Sequence, residues 1–361
     1  MKRALLVAAA ALGCIWLGAH PADSAPARHL GPLPGYTAAL APLPFPGLRY
    51  GVPAAATLRR DVPPGAYWGG PVTAASGDVV RVFSSTAYPQ DDENRARLQG
   101  IADFLGGLPH QTELEDLDVY VVEPSVLAPE CGDGAISCFG VAGNERGLML
   151  IPAEWPAGIH GLEVMTHEYG HQIAAHRDND PWAASTWGPK RWGTAMHVCE
   201  RFADGTASPG DEGGGYKQNP GEAWAETYRV AVWGARATLP FSVDESFNPS
   251  AAALAAARRD VLQPWSGPAT LTFRGRFVRP AGSGAQVLRT VLRVPTLLDG
   301  TLTAEIKGPP GATVALIDAK TGKVLRTPNP TVGMTVCGER AIRLVLRSRT
   351  PGAYRLEVDR P

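Results

Sequence analysis

The spacing of hydrophobic residues along the chain changes character at about residue 76. Before that point neither a helical nor a strand period persists, and Pro, Gly and Ala dominate in segments such as GPLPGY and APLPFPG. Residues 28–75 are therefore predicted to lie outside the folded domain. An extended arm and a propeptide both fit this composition.

Between residues 76 and 265 strand-like and helix-like periods are mixed, which predicts an α+β domain. Asn219 followed by Pro220 is a typical helix N-terminus, and Gly106-Gly107 is a typical helix end. The predicted strands are Val79–Phe83, Leu117–Val122, Ile136–Val141 and Leu148–Ile151, and the predicted helices are Asp92–Leu105, Gly158–Ala175, Asn219–Val232 and Ser250–Leu262.

From residue 266 to residue 361 the pattern becomes one of short alternating segments. LTFRGRFV, TLTAEIKG, ATVALID, AIRLVLRS and AYRLEVD are separated by turn signals. This alternation predicts a small C-terminal β-sandwich. It contains no cluster of catalytic residue types, so a binding or stabilising role is expected.

The N-terminus has the three parts of a secretory signal peptide. Lys2 and Arg3 precede an apolar run from Ala4 to Ala19, and small residues such as Ala25 and Ala27 follow. The run is shorter than the ~20 residues of a membrane-spanning helix. We therefore expect residues 1–27 to be removed and the protein to be secreted with no membrane span; an uncleaved anchor is the alternative.

Four cysteines remain after removal of the signal peptide, at positions 131, 138, 199 and 337. An even number in an exported chain predicts two disulfides, for which three pairings exist. The short CGDGAISC loop favours Cys131–Cys138, which leaves Cys199–Cys337 as the second bond. No CxxC pair occurs, so the sequence gives no support to a cysteine-based zinc site.

The overall charge gives no electrostatic indication of nucleic acid or an anionic membrane as a partner. The formal net charge is −1 at pH 7, and no dense Lys/Arg patch interleaved with aromatic residues is evident. Neither nucleic acid nor an anionic membrane is therefore an expected partner. Hydrophobic residues make up 44% of the chain, enough for a sizeable core.

The segment HEYGH, residues 167–171, carries the most specific chemical signal. His167 and His171 are four residues apart, so on a helix both imidazoles face the same ion, and Glu168 lies beside them. The carboxylate can take a proton from water activated by Zn²⁺. The motif is expected by chance in roughly one such chain in a hundred. Two surface histidines on an amphipathic helix are the alternative interpretation.

A catalytic zinc site needs a third protein ligand, and the third His of HExxHxxGxxH is absent. The segment NPGEAWAE opens a second helix, with Glu222 and Glu226 four residues apart on one face. One carboxylate can bind the metal while the other accepts a hydrogen bond from a ligating imidazole. A capping box with Asn219 is the alternative for Glu222. His197 and Asp180 are the next candidates for the third ligand.

HEYGH followed some fifty residues later by NPGEAWAE resembles the gluzincin-type zincins, in particular exported bacterial metallopeptidases related to the anthrax lethal-factor peptidase domain. The resemblance covers residues 115–235, with Trp224 in place of the usual Phe. It implies a zincin-like metallopeptidase fold for residues 76–265. It also implies a Zn²⁺ site in which the ligands are His167, His171 and Glu222, the base is Glu168, and the carboxylate supporting a ligand is Glu226.

The same resemblance suggests two further features. A tyrosine shortly before the ligand Glu can stabilise the oxyanion, which points to Tyr216, six residues before Glu222 where about seven are expected. An ordinary loop tyrosine is the alternative. The strand Ile136–Val141 would be an edge strand that binds extended substrate; a plain core strand is equally compatible.

Two functional hypotheses follow. The first is a secreted zinc endopeptidase whose substrate is a peptide or protein. The second is a zinc-stabilised surface or binding protein with little or no turnover. Glu168 favours the enzyme, because a purely structural zinc site does not need it. Neither the substrate nor the oligomeric state is indicated by the sequence.

Overall fold

The computed structural model describes residues 59–60, 63, 65–142, 146–282, 284 and 286–361. The predicted signal peptide and most of the predicted arm lie outside these residues. In the described part, a mixed α+β region is followed by an all-β region, as predicted. No helix described combines the length and apolar character needed to cross a bilayer.

The first region is built on a sheet with six described strands. They are β1 (Arg59–Arg60), β2 (Tyr67–Thr73), β3 (Val79–Ser85), β4 (Leu117–Val122), β5 (Cys138–Ala142) and β6 (Gly147–Pro152). The strand order is β1-β5-β6-β4-β3-β2. Strands β3, β4 and β6 are parallel, whereas β2 and β5 run antiparallel to their neighbours β3 and β6. The predicted strand from Ile136 begins two residues later, at Cys138.

Strand β2 corrects the predicted boundary at residue 75. Tyr67–Thr73 pairs along its whole length with β3, so these residues belong to the folded domain. The strand was not predicted because Gly69, Gly70 and Pro71 interrupt the alternation of apolar and polar residues in the sequence. Proline is tolerated here because β2 is the last described strand of the sheet. Glycine is needed at position 69 because a Cβ there would overlap the carbonyl oxygen of Val82.

Helices cover both faces of this sheet. They are α1 (Asp92–Gly106), α2 (Pro124–Cys131), α3 (Gly161–Ala175), α4 (Ala184–Trp187), α5 (Lys190–Ala195), α6 (Val198–Ala203), α7 (Pro220–Trp233) and α8 (Ala251–Leu262). In β4, Val119 and Val121 face the main core with α1 and α3, whereas Tyr120 and Val122 face α2. The main core lies between the sheet and the helices α1, α3 and α7.

The stretch between α3 and α7, predicted to be loop-rich, contains short elements. Besides α4, α5 and α6 it holds a two-stranded ribbon of β7 (Asp178–Asn179) and β8 (Trp182–Ala183). None of these elements exceeds six residues. A segment that short gives no measurable helical or strand period, which is why the sequence did not reveal it.

Helices α3 and α7 pack closely at one glycine. A Cβ on Gly170 would lie 2.9 Å from the Cα of Ala225 and 3.2 Å from the Cβ of Tyr228. The indole Nε1 of Trp224 donates a 2.7 Å hydrogen bond to the carbonyl of Gly170. The absence of a side chain at Gly170 therefore lets the two helices approach, and this approach forms the site described below.

The C-terminal region is a β-sandwich, as predicted. Its strands are β9 (Ala269–Phe277), β10 (Leu288–Thr296), β11 (Gly300–Lys307), β12 (Thr313–Asp318), β13 (Val324–Asn329), β14 (Thr331–Val336), β15 (Arg340–Ser348) and β16 (Gly352–Arg360). The described strands form two four-stranded sheets, β10-β15-β12-β13 and β14-β11-β16-β9. They enclose a core separate from that of the first region. Strands β10, β13 and β14 were not predicted.

The sandwich is attached to the first region by covalent and polar contacts. A disulfide joins Cys199 to Cys337, and the ammonium of Lys190 donates a 2.9 Å hydrogen bond to the carbonyl of Asp299. The other described disulfide closes the short loop from Cys131 to Cys138. Both predicted pairings are therefore present. Disulfides of this kind are compatible with an extracellular protein.

Candidate metal centre

The histidines of HEYGH lie one turn apart on the face of α3 that is turned towards α7. Met165, Tyr169 and Ile173 fill the opposite face and pack in the main core. This division leaves His167 and His171 facing α7, with their Nε2 atoms 3.3 Å apart. The helical spacing thus places two imidazole nitrogens around one point, as expected for four residues.

Glu222 completes the group from the first turn of α7. Its Oε2 lies 3.3 Å from Nε2 of His167, and its Oε1 lies 3.3 Å from Nε2 of His171. Asn219 caps α7 by accepting a hydrogen bond from the backbone N–H of Gly221. The carboxylate of Glu222 is directed at the imidazoles, so the capping-box interpretation of this residue is wrong.

His167, His171 and Glu222 together can hold a metal ion. One ligand atom from each lies within 4.8 Å of the others, and no second such group occurs among the described residues. His197, an alternative third ligand in the sequence, is exposed and has its imidazole 3.9 Å from Glu200. Asp180 is also outside the group.

The electrostatics of the group favour a positive charge at its centre. Burial alone would raise the pKa of Glu222, but the charge of His171 and hydrogen bonds from both imidazoles lower it to about 2. Burial lowers the pKa of His167, but Glu222 and Glu226 outweigh it and raise the pKa to about 10. The raised pKa of His167 reflects the negative charge of the two carboxylates, and the lowered pKa of Glu222 reflects the imidazoles that face it.

Glu226 lies one turn further along α7 and contacts the other side of His167. Its Oε1 accepts a 2.8 Å hydrogen bond from Nδ1 of His167, and its Oε2 accepts one of 2.7 Å from Arg229. A proton on Nδ1 leaves the lone pair of Nε2 directed at the metal position. Burial opposes ionisation of Glu226, but the guanidinium of Arg229 and the bond from His167 lower its pKa to about 2.

Arg229 connects this carboxylate to a second buried acid that sequence reasoning missed. Its Nη1 donates a 2.6 Å hydrogen bond to Oε2 of Glu163, near the start of α3. Oε1 of Glu163 also accepts bonds from the backbone N–H and the hydroxyl of Thr238, at 2.8 and 2.6 Å. The buried charges are thus paired and hydrogen-bonded, as such groups require. The sequence signal was Arg229 three residues after Glu226 on the same face.

Glu168 is completely buried beside the two histidines. Its Oε1 accepts a 2.5 Å hydrogen bond from the hydroxyl of Ser137, whereas its Oε2 has no hydrogen-bond partner among the described residues. Burial raises the pKa of Glu168, and the charges of His167 and His171 offset this only in part. Ser137 was not predicted from the sequence; it lies next to Cys138, at the end of the disulfide loop.

Tyr216 also reaches the group, at Glu222. Its hydroxyl donates a 3.0 Å hydrogen bond to Oε2 of Glu222. Burial and the neighbouring carboxylates raise the pKa of Tyr216 well above its usual value, so the hydroxyl stays protonated and remains a donor. The spacing of six residues therefore places Tyr216 within reach of the centre, where its direct partner is a candidate ligand.

Strand β5 runs beside the metal centre, but it is not the outermost strand described. The ring of Phe139 lies nearly parallel to that of His171, with centroids 6.1 Å apart. Strand β1 pairs in parallel with Val141 and Ala142, at the far end of β5. The predicted edge strand is therefore paired on one side with β6 and, at Val141 and Ala142, on the other side with β1.

No protein-family model matches the chain, and no curated protein matches its sequence. The interpretation of the centre therefore depends on the positions of its own side chains.

Proposed function

We propose that this protein is an exported zinc-dependent endopeptidase. The observation that carries the proposal is the spacing of the three ligand groups. Ligand atoms around a tetrahedral zinc with bonds of ~2.0–2.1 Å lie about 3.3–3.4 Å apart. The two Nε2 atoms of His167 and His171 are 3.3 Å apart, and each lies 3.3 Å from one carboxylate oxygen of Glu222, Oε2 for His167 and Oε1 for His171.

The donor set also favours zinc over calcium and magnesium. Two imidazoles and one carboxylate suit zinc, whereas calcium and magnesium prefer sites made of oxygen alone. Three protein ligands leave a fourth tetrahedral position for substrate or water, as in catalytic zinc sites. The buried Oε2 of Glu168, which has no hydrogen-bond partner in the described part of the chain, has a use in catalysis and none in a purely structural site.

The chain's own residues then have distinct tasks in peptide hydrolysis. Bound zinc supplies a Lewis acid that polarises the substrate carbonyl and acidifies the attacking water. Glu168 accepts the proton of that water and transfers it to the leaving amine, while Ser137 holds the other carboxylate oxygen in place. Glu226 and Arg229 fix the orientation of His167.

Tyr216 has two candidate tasks. Its hydrogen bond to Glu222 orients a ligand, and a rotation of its side chain would bring the same donor to the developing oxyanion. Secretion is part of the proposal because the described disulfides form and persist in an oxidising compartment. The peptide bond cleaved is that of an extended peptide or protein substrate.

Replacing Glu168 by Gln tests the mechanism. The change removes the base but keeps its size, so hydrolysis of a random peptide library should fall by about 10²-fold or more. Zinc content measured by mass spectrometry should stay near that of the wild type. The His167→Ala/His171→Ala variant should lose the metal, whereas the control His176→Ala should keep both metal and activity.

Two results would contradict the proposal. Equal hydrolysis by the wild type and the Glu168→Gln protein would refute the assigned base. A wild-type protein that retains one zinc and cleaves no member of the library would instead support the zinc-stabilised binding protein.

A further inference from the structure

The two ends of the chain differ strongly in charge. From residue 266 onward the sequence has 15 Lys and Arg but only 6 Asp and Glu, whereas the whole chain has 34 and 35. The near-neutral net charge of the whole chain is therefore the sum of a basic sandwich and an acidic stretch before residue 266. What matters for binding is where the basic residues lie.

Four arginines share the outer face of one sheet of the sandwich. Strands β10 and β15 pair so that Arg289 lies directly opposite Arg347 and Arg293 directly opposite Arg343. The alternate residues of both strands, such as Val294 and Leu344, face the sandwich core. The four arginines consequently lie on the opposite side, where Arg289, Arg293 and Arg347 are exposed and Arg343 is half-buried. We call Arg289, Arg293, Arg343 and Arg347 the arginine face.

No carboxylate neutralises the arginine face within the described residues. The other outward positions of β10, β15 and β12 carry neither acidic nor aromatic side chains. They are Val291, Pro295, Ala341, Val345, Thr313, Ala315 and Ile317, of which Val345 and Ala315 are buried. Nε of Arg343 is buried and has no hydrogen-bond partner among the residues that the structure describes. Like charges placed directly opposite on neighbouring strands are destabilising, so the arrangement costs stability in the isolated protein.

The outer face of the second sheet makes an informative contrast. It also carries four basic residues, but acidic neighbours accompany them. Arg355 forms an ion pair with Glu357, and Lys307 lies 3.4 Å from Glu305. The uncompensated charge is therefore a property of one face and not of the sandwich as a whole.

We propose that the arginine face binds a linear acidic polysaccharide, an activity separate from peptide hydrolysis. Guanidinium groups form paired hydrogen bonds with sulfate and carboxylate groups. The two arginine pairs are four residues apart along their strands, or about 13 Å. The positive charge is therefore spread along the strands and suits an extended polymer. Charge complementarity thus selects a chain that carries anionic groups at repeated intervals.

Other polyanions fit this surface less well. Single-stranded nucleic acid is held largely by stacking on aromatic side chains, which the outward positions lack. A flat sheet face does not enter a groove of duplex DNA. Anionic membranes are bound by surfaces that also insert large apolar or aromatic side chains, whereas the largest apolar residues here that are not buried are Val291 and Ile317.

Heparin, a sulfated and carboxylated polysaccharide, is a suitable probe. Its affinity for the full-length wild type would be measured at several salt concentrations. The test variant changes Arg289, Arg293, Arg343 and Arg347 to Gln. The matched control changes four outward residues of the second sheet, Arg274, Arg276, Lys307 and Arg355, to Gln. Both variants remove the same charge.

The test variant should bind heparin at least tenfold more weakly, and the slope of log affinity against log salt should become shallower by about two to four. The control should change affinity less than threefold. The thermal midpoint of the test variant should equal or exceed that of the wild type, because repulsion is relieved. If the fourfold variant does not fold, Arg289→Gln/Arg347→Gln should still lower affinity measurably.

Three outcomes would overturn the proposal. The first is a wild type that does not bind heparin. The second is an equal loss in test and control variants, which would indicate attraction to the overall charge of the sandwich. The third is tighter binding of duplex DNA, or of phosphatidylserine vesicles, than of heparin.

Discussion

Glu222 and Glu226 have the same chemistry but different surroundings. Both are buried on one face of α7, and both contact His167. Glu222 faces the two Nε2 atoms, whereas Glu226 faces Nδ1 of His167 and the guanidinium of Arg229. The helix thus offers one carboxylate to the metal position and the other to the back of a ligand.

The different surroundings of Glu222 and Glu226 predict different losses of zinc when each is replaced by Ala. Glu222→Ala should remove most of the metal, because one of three ligands is lost. Glu226→Ala should keep the site loaded but weaken zinc affinity by ~10–100-fold, because His167 loses the partner that orients it. Zinc content and competitive chelator titration would measure both effects in variants that unfold cooperatively.

If Glu226→Ala lost its zinc while Glu222→Ala kept it, Glu226 would be the ligand and Glu222 would not. Retention of zinc by both would require a third ligand elsewhere in the chain.

Sequence spacing could identify the two histidines and the two glutamates because each pair lies within one helix: His167 and His171 in α3, and Glu222 and Glu226 in α7. A separation of four residues fixes a common face whatever the rest of the fold does. Ser137 and Glu163 could not be identified in the same way. Their contacts to Glu168 and Arg229 span 31 and 66 residues, and only the packed fold brings them together.

The contact between α3 and α7 is the structural element on which the centre depends. Gly170 permits it, because its position leaves no room for a side chain beside Ala225. The ligands come from both helices, so any increase in the distance between them separates His167 and His171 from Glu222.

Gly170→Ala should therefore affect stability and metal binding together. The added methyl group should lower the free energy of unfolding by ~1–3 kcal/mol, a typical cost of overpacking, and weaken zinc affinity. Gly100→Ala in α1 is the matched control, because a Cβ there meets no atom within 4 Å. The control should raise stability by ~0.5–1 kcal/mol. Denaturant unfolding and zinc titration would measure both.

If Gly170→Ala bound zinc with wild-type affinity, the close approach of the helices would not determine the spacing of the ligands.

Long elements could be predicted from the sequence, and edge or short elements could not. Helices α1, α3, α7 and α8 were predicted to within three residues because each has a persistent period or clear end signals. Strand β2 was missed because Gly69, Gly70 and Pro71 interrupt its alternation. Its strand conformation is imposed by pairing with β3, a tertiary contact that local sequence does not encode.

At the scale of the whole molecule, the net charge does not reveal that the C-terminal sandwich is basic. The formal net charge of −1 gave no indication of nucleic acid or an anionic membrane as a partner, but it is the sum of an acidic region and a basic sandwich. The alternation that predicts each strand also places its arginines on one side. Only the register of β10 against β15 brings those arginines together, and register cannot be obtained from either strand alone.

The disulfide between Cys199 and Cys337 should make a large contribution to stability. It spans 138 residues, and closing a loop of that length restricts the unfolded chain by ~5 kcal/mol in the chain-entropy model. Cys199→Ala/Cys337→Ala should therefore unfold at a clearly lower denaturant concentration than the oxidised wild type. An unchanged midpoint would show that noncovalent contacts alone hold the sandwich in place.

The same bond determines what a single cut between the two regions would do. The six residues from Gln263 to Pro268 connect α8 to β9, and most of them are exposed. A protease that cuts this connection would leave two polypeptides joined through Cys199 and Cys337. The nicked protein would run as one band on a non-reducing gel and as two after reduction. Proteolytic nicking and physical separation are thus independent events in this molecule.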